Sequence, residues 1–134
     1  MAVTQVMVIE SGGQLFGVLM DHVIETMRIP RRSIHRIKQS MTVGLRGRVV
    51  PLKALNSLIR IGAHPKANAD DELSVLLVQA GGGVLGLLVD GFRETLGVIQ
   101  KPMAGFLSSL STWSGSALMG DGSVLMILNI REIV

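Results

Sequence analysis

The sequence of 134 residues contains no cysteine and no tyrosine, and only three phenylalanines and one tryptophan. The absence of cysteine excludes disulfide bonds and thiolate metal sites. Because aromatic side chains are so few, the core must be built from valine, leucine, isoleucine and methionine. No apolar run approaches the roughly 18 residues of a membrane-spanning helix, and no N-terminal segment has the pattern of a signal peptide. We therefore expect a cytoplasmic protein.

Charged residues are also scarce, at 17% against 48% hydrophobic residues, and the net charge is only +3. This composition favours a packed core in a single domain of residues 1–134. The one dense basic stretch is residues 28–38 (RIPRRSIHRIK). It has no aromatic side chains for stacking on nucleic acid, and Pro30 argues against a recognition helix. We interpret the stretch as a solvated loop, with an acidic protein partner as the functional alternative.

An internal repeat is the strongest pattern in the sequence. Residues 13–27 (GQLFGVLMDHVIETM) match residues 82–96 (GGVLGLLVDGFRETL) at an offset of 69. Further along, residues 47–55 (GRVVPLKAL) resemble residues 122–130 (GSVLMILNI) at an offset of 75. Since the two matches keep their order, we interpret the chain as two diverged copies of one unit.

The repeat divides the chain into units at about 13–62 and 82–134. Each unit follows a strand-like run, at 3–10 and at 73–79, and these runs are candidates for exchange between the units. Units of about 50 residues with several short strands usually close into small barrels, because closure removes exposed edges. Neither barrel would bury much core alone, so we expect the two to pack on each other.

Local patterns predict an all-β protein with little helix. β-rich runs alternate with glycine turns, which is typical of hairpins, and residues 120–122 predict a further tight turn. Leucine and isoleucine spacing over 52–59 predicts one short helix after Pro51, and residues 129–134 form its candidate counterpart. The predicted strands are 3–10, 15–20, 73–79, 84–89 and 124–128.

Residues 81–86 (GGGVLG) contain the G-x-G-x-x-G pattern of dinucleotide-binding proteins. That site requires a helix after the third glycine and an acidic residue about 20 positions later. Gly86 is instead followed by a β-prone run, and no aspartate or glutamate lies between Glu94 and Asp121. We favour a hairpin turn, with Gly86 in the place that Gly17 holds in the first copy. A nucleotide-binding protein remains the alternative from another functional class.

Histidine and glutamate raise the question of a metal site. His22 and Glu25 form H-x-x-E, but a spacing of three on a strand directs side chains to opposite faces. His35 and His64 have no second ligand at a suitable spacing. We predict neither a metal nor a cofactor.

No catalytic constellation emerges from the remaining polar residues. Asp21 and Asp90 occupy matching places in the two copies, which favours a shared role in a turn over a carboxylate pair. A group of serines has no G-x-S-x-G around it and is interpreted as a polar loop. A binding or scaffold module is therefore favoured over an enzyme. The serines are Ser108, Ser109, Ser111, Ser114 and Ser116.

Residues 45–52 (LRGRVVPL) resemble the L-R-G-x-x-V-P-[VL] segment of the CheW family of bacterial chemotaxis adaptors. The hairpin over 16–25 and its repeat at 85–90 fit the same family, and the resemblance covers nearly the whole chain. Residues 114–128 (SGSALMGDGSVLMIL) are similar to the CheW-like regulatory domain at the C-terminus of the chemotaxis histidine kinase CheA. The chain departs from that pattern at Ser116 and at Asn129, where aspartate is usual.

This resemblance implies two five-stranded β-barrels of SH3-like or OB-like topology, with intertwined strands and one or two short helices. It also implies a non-catalytic module that binds the CheW coupling protein, the cytoplasmic tips of methyl-accepting chemoreceptors and other CheA domains. Such a module couples receptor state to kinase activity within receptor arrays, without nucleic acid, cofactor or membrane insertion. The kinase would carry its phosphotransfer and ATP-binding domains upstream. A free-standing CheW adaptor is the alternative.

The resemblance also implies three partner-binding residues. The family's V-x-E segment and the arginine of its L-R-G segment carry over to Val23, Glu25 and Arg46. Each has a plainer alternative, since Val23 also suits the core and Arg46 also suits a turn. We expect contacts of this kind to be apolar patches with a polar rim.

Overall fold

The computed structural model describes residues 2–105, 109 and 111–134. This part of the chain forms eleven strands and two helices of four residues each, α1 (Leu55–Leu58) and α2 (Ile130–Ile133). The all-β class with short helices is therefore confirmed. Neither helix has the length needed to cross a membrane. The strands are β1 (Thr4–Ser11), β2 (Gln14–Leu19), β3 (Val23–Pro30), β4 (Ile34–Ile37), β5 (Ser40–Leu45), β6 (Arg48–Ala54), β7 (Glu72–Ala80), β8 (Gly83–Val89), β9 (Gly91–Val98), β10 (Trp113–Leu118) and β11 (Val124–Leu128).

The strands form two sheets that exchange hairpins between the two halves of the chain. The five-stranded sheet has the order β10-β11-β2-β1-β9, and the six-stranded sheet has the order β3-β7-β8-β6-β5-β4. Hairpin β1-β2 thus lies among C-terminal strands, while hairpin β7-β8 lies among N-terminal strands. The predicted intertwining is confirmed, and it involves whole hairpins. The expected count of five strands holds for one sheet, whereas β4 adds a sixth strand to the other.

Each exchanged hairpin meets its host sheet through a parallel strand pair with a glycine in it. Gly17 on β2 lies opposite Ile127 on β11, and Gly86 on β8 lies opposite Leu52 on β6. A Cβ atom at position 86 would lie 2.5 Å from Leu52 Cδ2 and 3.0 Å from Val75 Cγ1. The glycine therefore permits close approach of two side chains. β8 also continues as a strand to Val89, where a dinucleotide site would need a helix.

Both hairpins turn at glycines, as the sequence predicts. Gly12 and Gly13 join β1 to β2 with φ of 60° and 78°, and Gly81, with φ of 60°, begins the turn between β7 and β8. These φ values are available to glycine without the steric strain that a Cβ atom causes. Asp21 and Asp90 both lie in the connection that follows the second hairpin strand, as predicted, but they do not share one role: Asp90 accepts two backbone hydrogen bonds, whereas Asp21 is exposed in a 3-10 turn.

The core is aliphatic, as expected from the shortage of aromatic residues. Its largest cluster joins residues of both hairpins to the C-terminal strand and helix. One aromatic contact supports it, a stacked pair of Phe16 and Trp113 with ring centroids 5.6 Å apart. The fully buried members of this cluster include Ile9, Val18, Leu55, Leu76, Val78, Leu87, Leu128 and Ile130.

Two local predictions need correction. The short helix predicted after Pro51 is present, but it begins at Leu55, because burial alternates along β6 and places Leu52 in the strand. A strand's period of two therefore overrides the helical spacing of the leucines. The serines expected in a loop are also divided, since Ser114 and Ser116 belong to β10. Ser108 lies outside the described residues.

The basic stretch 28–38 is ordered structure where a solvated loop was expected. It comprises the end of β3, a single 3-10 turn at Arg31–Ser33, and all of β4. Ile29 is buried in the six-stranded sheet, and Ile34 is half-buried and packs against the core of that sheet. These two isoleucines anchor the stretch, while its basic side chains remain exposed.

Candidate functional site

The structure brings two of the three predicted partner-binding residues into direct contact. Glu25 lies on β3, and Arg46 occupies the tight turn between β5 and β6 with φ of 47°. The Arg46 Nη2 atom donates a hydrogen bond of 2.6 Å to Glu25 Oε2. This hydrogen bond, followed by the attraction of the carboxylate, raises the pKa of the Arg46 guanidinium above its ordinary value. The pair is exposed, so its charges remain available to a partner.

Val23 is not brought into this pair. It begins β3 half-buried and packs against the largest core cluster. The pairing of β3 with β7 shifts register between Val23 and Glu25, which marks a bulge at Ile24. A bulge bends the strand and redirects its side chains. The structure thus separates a core-facing Val23 from a solvent-facing Glu25.

Glu25 and His22, which form the H-x-x-E motif, lie in different elements of the structure. The Glu25 carboxylate accepts the Arg46 hydrogen bond, and His22 lies in the 3-10 turn that precedes β3. In the described part of the chain, no group of three or more histidine, aspartate or glutamate side chains is arranged to hold a metal ion.

A groove of about 290 Å³ adjoins the ion pair. We call it the first groove. Two exposed apolar side chains line it, Ile24 with 45% and Val49 with 76% of its surface accessible. Arg48 adds a second positive charge to the rim. An apolar surface with a charged rim is the usual anatomy of a protein interface.

A second groove lies at positions that the internal repeat relates to the first groove. No motif in the sequence pointed to it. A cavity of about 700 Å³ is lined by Leu15, Glu94, Asp121, Ser123 and Val124, and we call it the second groove. Its members sit at the repeat offsets from members of the first groove. Glu94 and Leu15 are related by 69 positions to Glu25 and Val84, while Asp121, Ser123 and Val124 are related by 75 positions to Arg46, Arg48 and Val49.

The two grooves have opposite charge. The first groove carries Arg46 and Arg48 against Glu25, a formal charge of +1, whereas the second carries Glu94 and Asp121, a formal charge of −2. Hydrogen bonds from the Ser123 hydroxyl at 2.5 Å and the Ser123 amide at 2.9 Å lower the pKa of Asp121. Asp121 is therefore ionised at neutral pH. The repeat offsets were the signal that could have found this second surface.

Known proteins resemble this chain along its whole length. A family model described as a CheW-like domain matches residues 5–134. The chemotaxis protein CheA of Treponema pallidum (strain Nichols) is 28% identical over 139 residues, which covers 100% of this chain and 16% of that protein. The chemotaxis protein CheA of Bacillus subtilis (strain 168) is 24% identical over 134 residues, which covers 100% of this chain and 20% of that protein.

A solved structure shares the fold. The scaffolding protein TtCheW from Thermoanaerobacter tengcongensis superposes with a TM-score of 0.78 at 20% sequence identity. The match covers 98% of this chain and 92% of that one. The chain thus spans nearly the whole of a CheW structure, but a fifth or less of the two CheA relatives.

Proposed function

This chain belongs to the CheW-like domain family, and on that premise we propose that it is the regulatory domain of a CheA-type histidine kinase. The proposal is supported by CheA relatives that match the whole chain. The domain itself is a non-catalytic chemotaxis module, and kinase activity would belong to other domains of the parent protein. A free-standing CheW adaptor is the second candidate, favoured by the coverage of the TtCheW scaffold. An in-frame kinase domain upstream of Met1 would decide for CheA.

The proposed partner is a CheW coupling protein, bound groove against groove. The observation that carries this is the charge difference between two grooves at repeat-related positions. The basic first groove of this chain would face an acidic groove of the CheW-like partner, while Ile24 and Val49 supply apolar contact. Complementary rims of this kind speed association and exclude wrong partners.

The second proposed partner is the cytoplasmic tip of a chemoreceptor. Binding to both partners would hold the kinase in arrays under the receptors. A change in receptor state would reach the kinase as a changed arrangement of these domains, which makes the module regulatory. Co-purification of the chain with a CheW protein and a receptor cytoplasmic fragment is the direct test of this assembly.

Arg46→Glu tests the assignment of the first groove. We expect the variant to fold but to bind CheW about tenfold more weakly, because the substitution removes a rim cation and repels Glu25. Isothermal titration with CheW measures the affinity, and a thermal melt checks the fold. Lys53→Glu is the matched control, since Lys53 is exposed on β6 but lines neither groove. Unchanged CheW binding by folded Arg46→Glu would refute the assignment.

A further inference from the structure

A separate pocket lies at the other end of β3 from the first groove. It has a volume of about 360 Å³, which is within the range of ligand-binding pockets. Its floor consists of Ala54, Leu73 and Leu88, all buried in the core of the six-stranded sheet. It shares no lining residue with the first groove. An apolar floor of this kind suits an aliphatic or aromatic side chain.

The rim of this pocket is cationic. Its two charged lining residues are Arg31 and Arg36, which lie beside His64 and Ser57, and we call it the cationic pocket. Arg31 Nε is held by Asp71 Oδ1 at 3.0 Å in an exposed ion pair. Arg36 makes no ion pair within the described part of the chain. Its charge is therefore uncompensated at the mouth of the pocket.

The surroundings extend this positive surface. Residues 28–38 carry five arginines and lysines and no acidic residue. The acidic side chains nearby are Asp70, Asp71 and Glu72, of which Asp71 binds Arg31 and Glu72 accepts a hydrogen bond from an asparagine. β4 ends the order of its sheet and pairs with β5 alone in the described part of the chain. An edge strand of this kind accepts an added extended chain.

We propose that the cationic pocket docks an extended acidic segment of a partner protein. One leucine-sized side chain of that segment enters the pocket, and carboxylates on either side of it bind Arg36 and Arg31. Charge-assisted hydrogen bonds between guanidinium and carboxylate supply the specificity. The apolar floor favours a peptide over nucleic acid, because phosphates have nothing to place in the pocket and, among the described residues, no phenylalanine or tryptophan lines it for base stacking.

A labelled peptide tests the proposal on the full chain. The probe is a fluorescein-labelled hexapeptide with one leucine among aspartates and glutamates, titrated while anisotropy is recorded. We expect saturable binding that weakens about tenfold in Arg36→Glu. A hexapeptide with serine in place of the leucine should bind about tenfold more weakly as well, since it leaves the apolar floor empty.

Two variants complete the design. Ser57→Trp, at an exposed rim position, should fill the pocket mouth and block the leucine peptide. Lys53→Glu makes the same charge change as Arg36→Glu on β6 outside the pocket, and it should change the affinity by less than about twofold. Equal effects of Lys53→Glu and Arg36→Glu, or equal binding of the leucine and serine peptides, would overturn the proposal. Binding to phosphatidylserine vesicles without binding to the peptide would overturn it too.

The test of the cationic pocket can fail or succeed independently of the proposed chemotaxis function. Arg46→Glu should leave binding of the acidic peptide unchanged, because the first groove and the cationic pocket have no residue in common. Arg36→Glu should likewise leave CheW binding unchanged. Each proposal therefore stands or falls on its own variant.

Discussion

Gly86 is the residue at which the sequence supports two opposite interpretations. It completes a pattern known from phosphate-binding loops, and it also repeats Gly17 of the first half. The structure places it where β8 pairs with β6 in parallel, with Leu52 and Val75 filling the space that a side chain would need. The reason for glycine here is thus tight packing between an exchanged hairpin and its host sheet.

Gly86→Ala should destabilise the protein by about 1–3 kcal/mol, because the new methyl group would overpack a buried contact. Urea denaturation measures the change in the free energy of unfolding. Gly83→Ala is the control on the same strand, since a Cβ atom there has no neighbour within 4 Å. Its expected effect is within about 0.5 kcal/mol. If the two alanine variants were equally stable, close approach at Gly86 would not be the reason for the glycine.

At the scale of elements, the exchanged hairpins are fastened by polar contacts as well as by packing. The Asp90 carboxylate accepts hydrogen bonds from the Gly12 amide at 2.7 Å and from the Lys66 amide at 2.9 Å. The hydroxyl of Ser11 donates to the buried side chain of Asn56 on α1. These contacts tie the tip of hairpin β1-β2 to the helix and linker that follow β6. They connect residues up to 78 positions apart in the chain.

Asp90→Ala should lower the free energy of unfolding by about 1–3 kcal/mol, because two amides lose a partly buried acceptor. Hydrogen exchange at the Gly12 amide should become faster. Asp21→Ala is the matched control from the other copy of the repeat, where the side chain is exposed in its turn. Stability there should change by no more than about 0.5 kcal/mol. If the free energy of unfolding fell by a similar amount in both variants, the hydrogen bonds of Asp90 would not have a stabilising role of their own.

At the scale of the whole molecule, the repeat has produced two grooves of opposite formal charge. The first groove joins β3 to the turn between β5 and β6, and the second joins β9 to the turn before β11. Arginine at position 46 and aspartate at position 121 account for most of the difference. Two unlike grooves suit the proposed binding of two partners at once.

The second groove should therefore be needed to form complexes larger than one copy of the chain with one copy of CheW. Mixtures of the chain with CheW should contain species larger than a one-to-one complex, detectable by analytical ultracentrifugation. The double variant Glu94→Lys, Asp121→Lys should form only a one-to-one complex with CheW, because only the first groove would still attract a CheW-like partner. Large complexes that persist in the folded double variant would exclude the second groove from assembly.

The sequence by itself determined five of the eleven strands (β1, β2, β7, β8 and β11), the glycine turns and the placement of Asp21 and Asp90, because each depends on local alternation and backbone freedom. It erred at Leu52 and in residues 28–38, where burial in the sheet overrode local spacing. Through a family resemblance it predicts Val23, Glu25 and Arg46 as partner-binding residues, but it gave no sign of the contact between Glu25 and Arg46.

Only the tertiary structure decided which sheet each hairpin joins, how the two grooves differ and where the cationic pocket opens. The exchange depends on contacts such as those of Gly86 with Leu52 and of Asp90 with Gly12. A local pattern reports which face of a strand is buried, but it does not report which distant strand covers that face. The partner is chosen by close packing and by the pairing of buried polar groups across the chain.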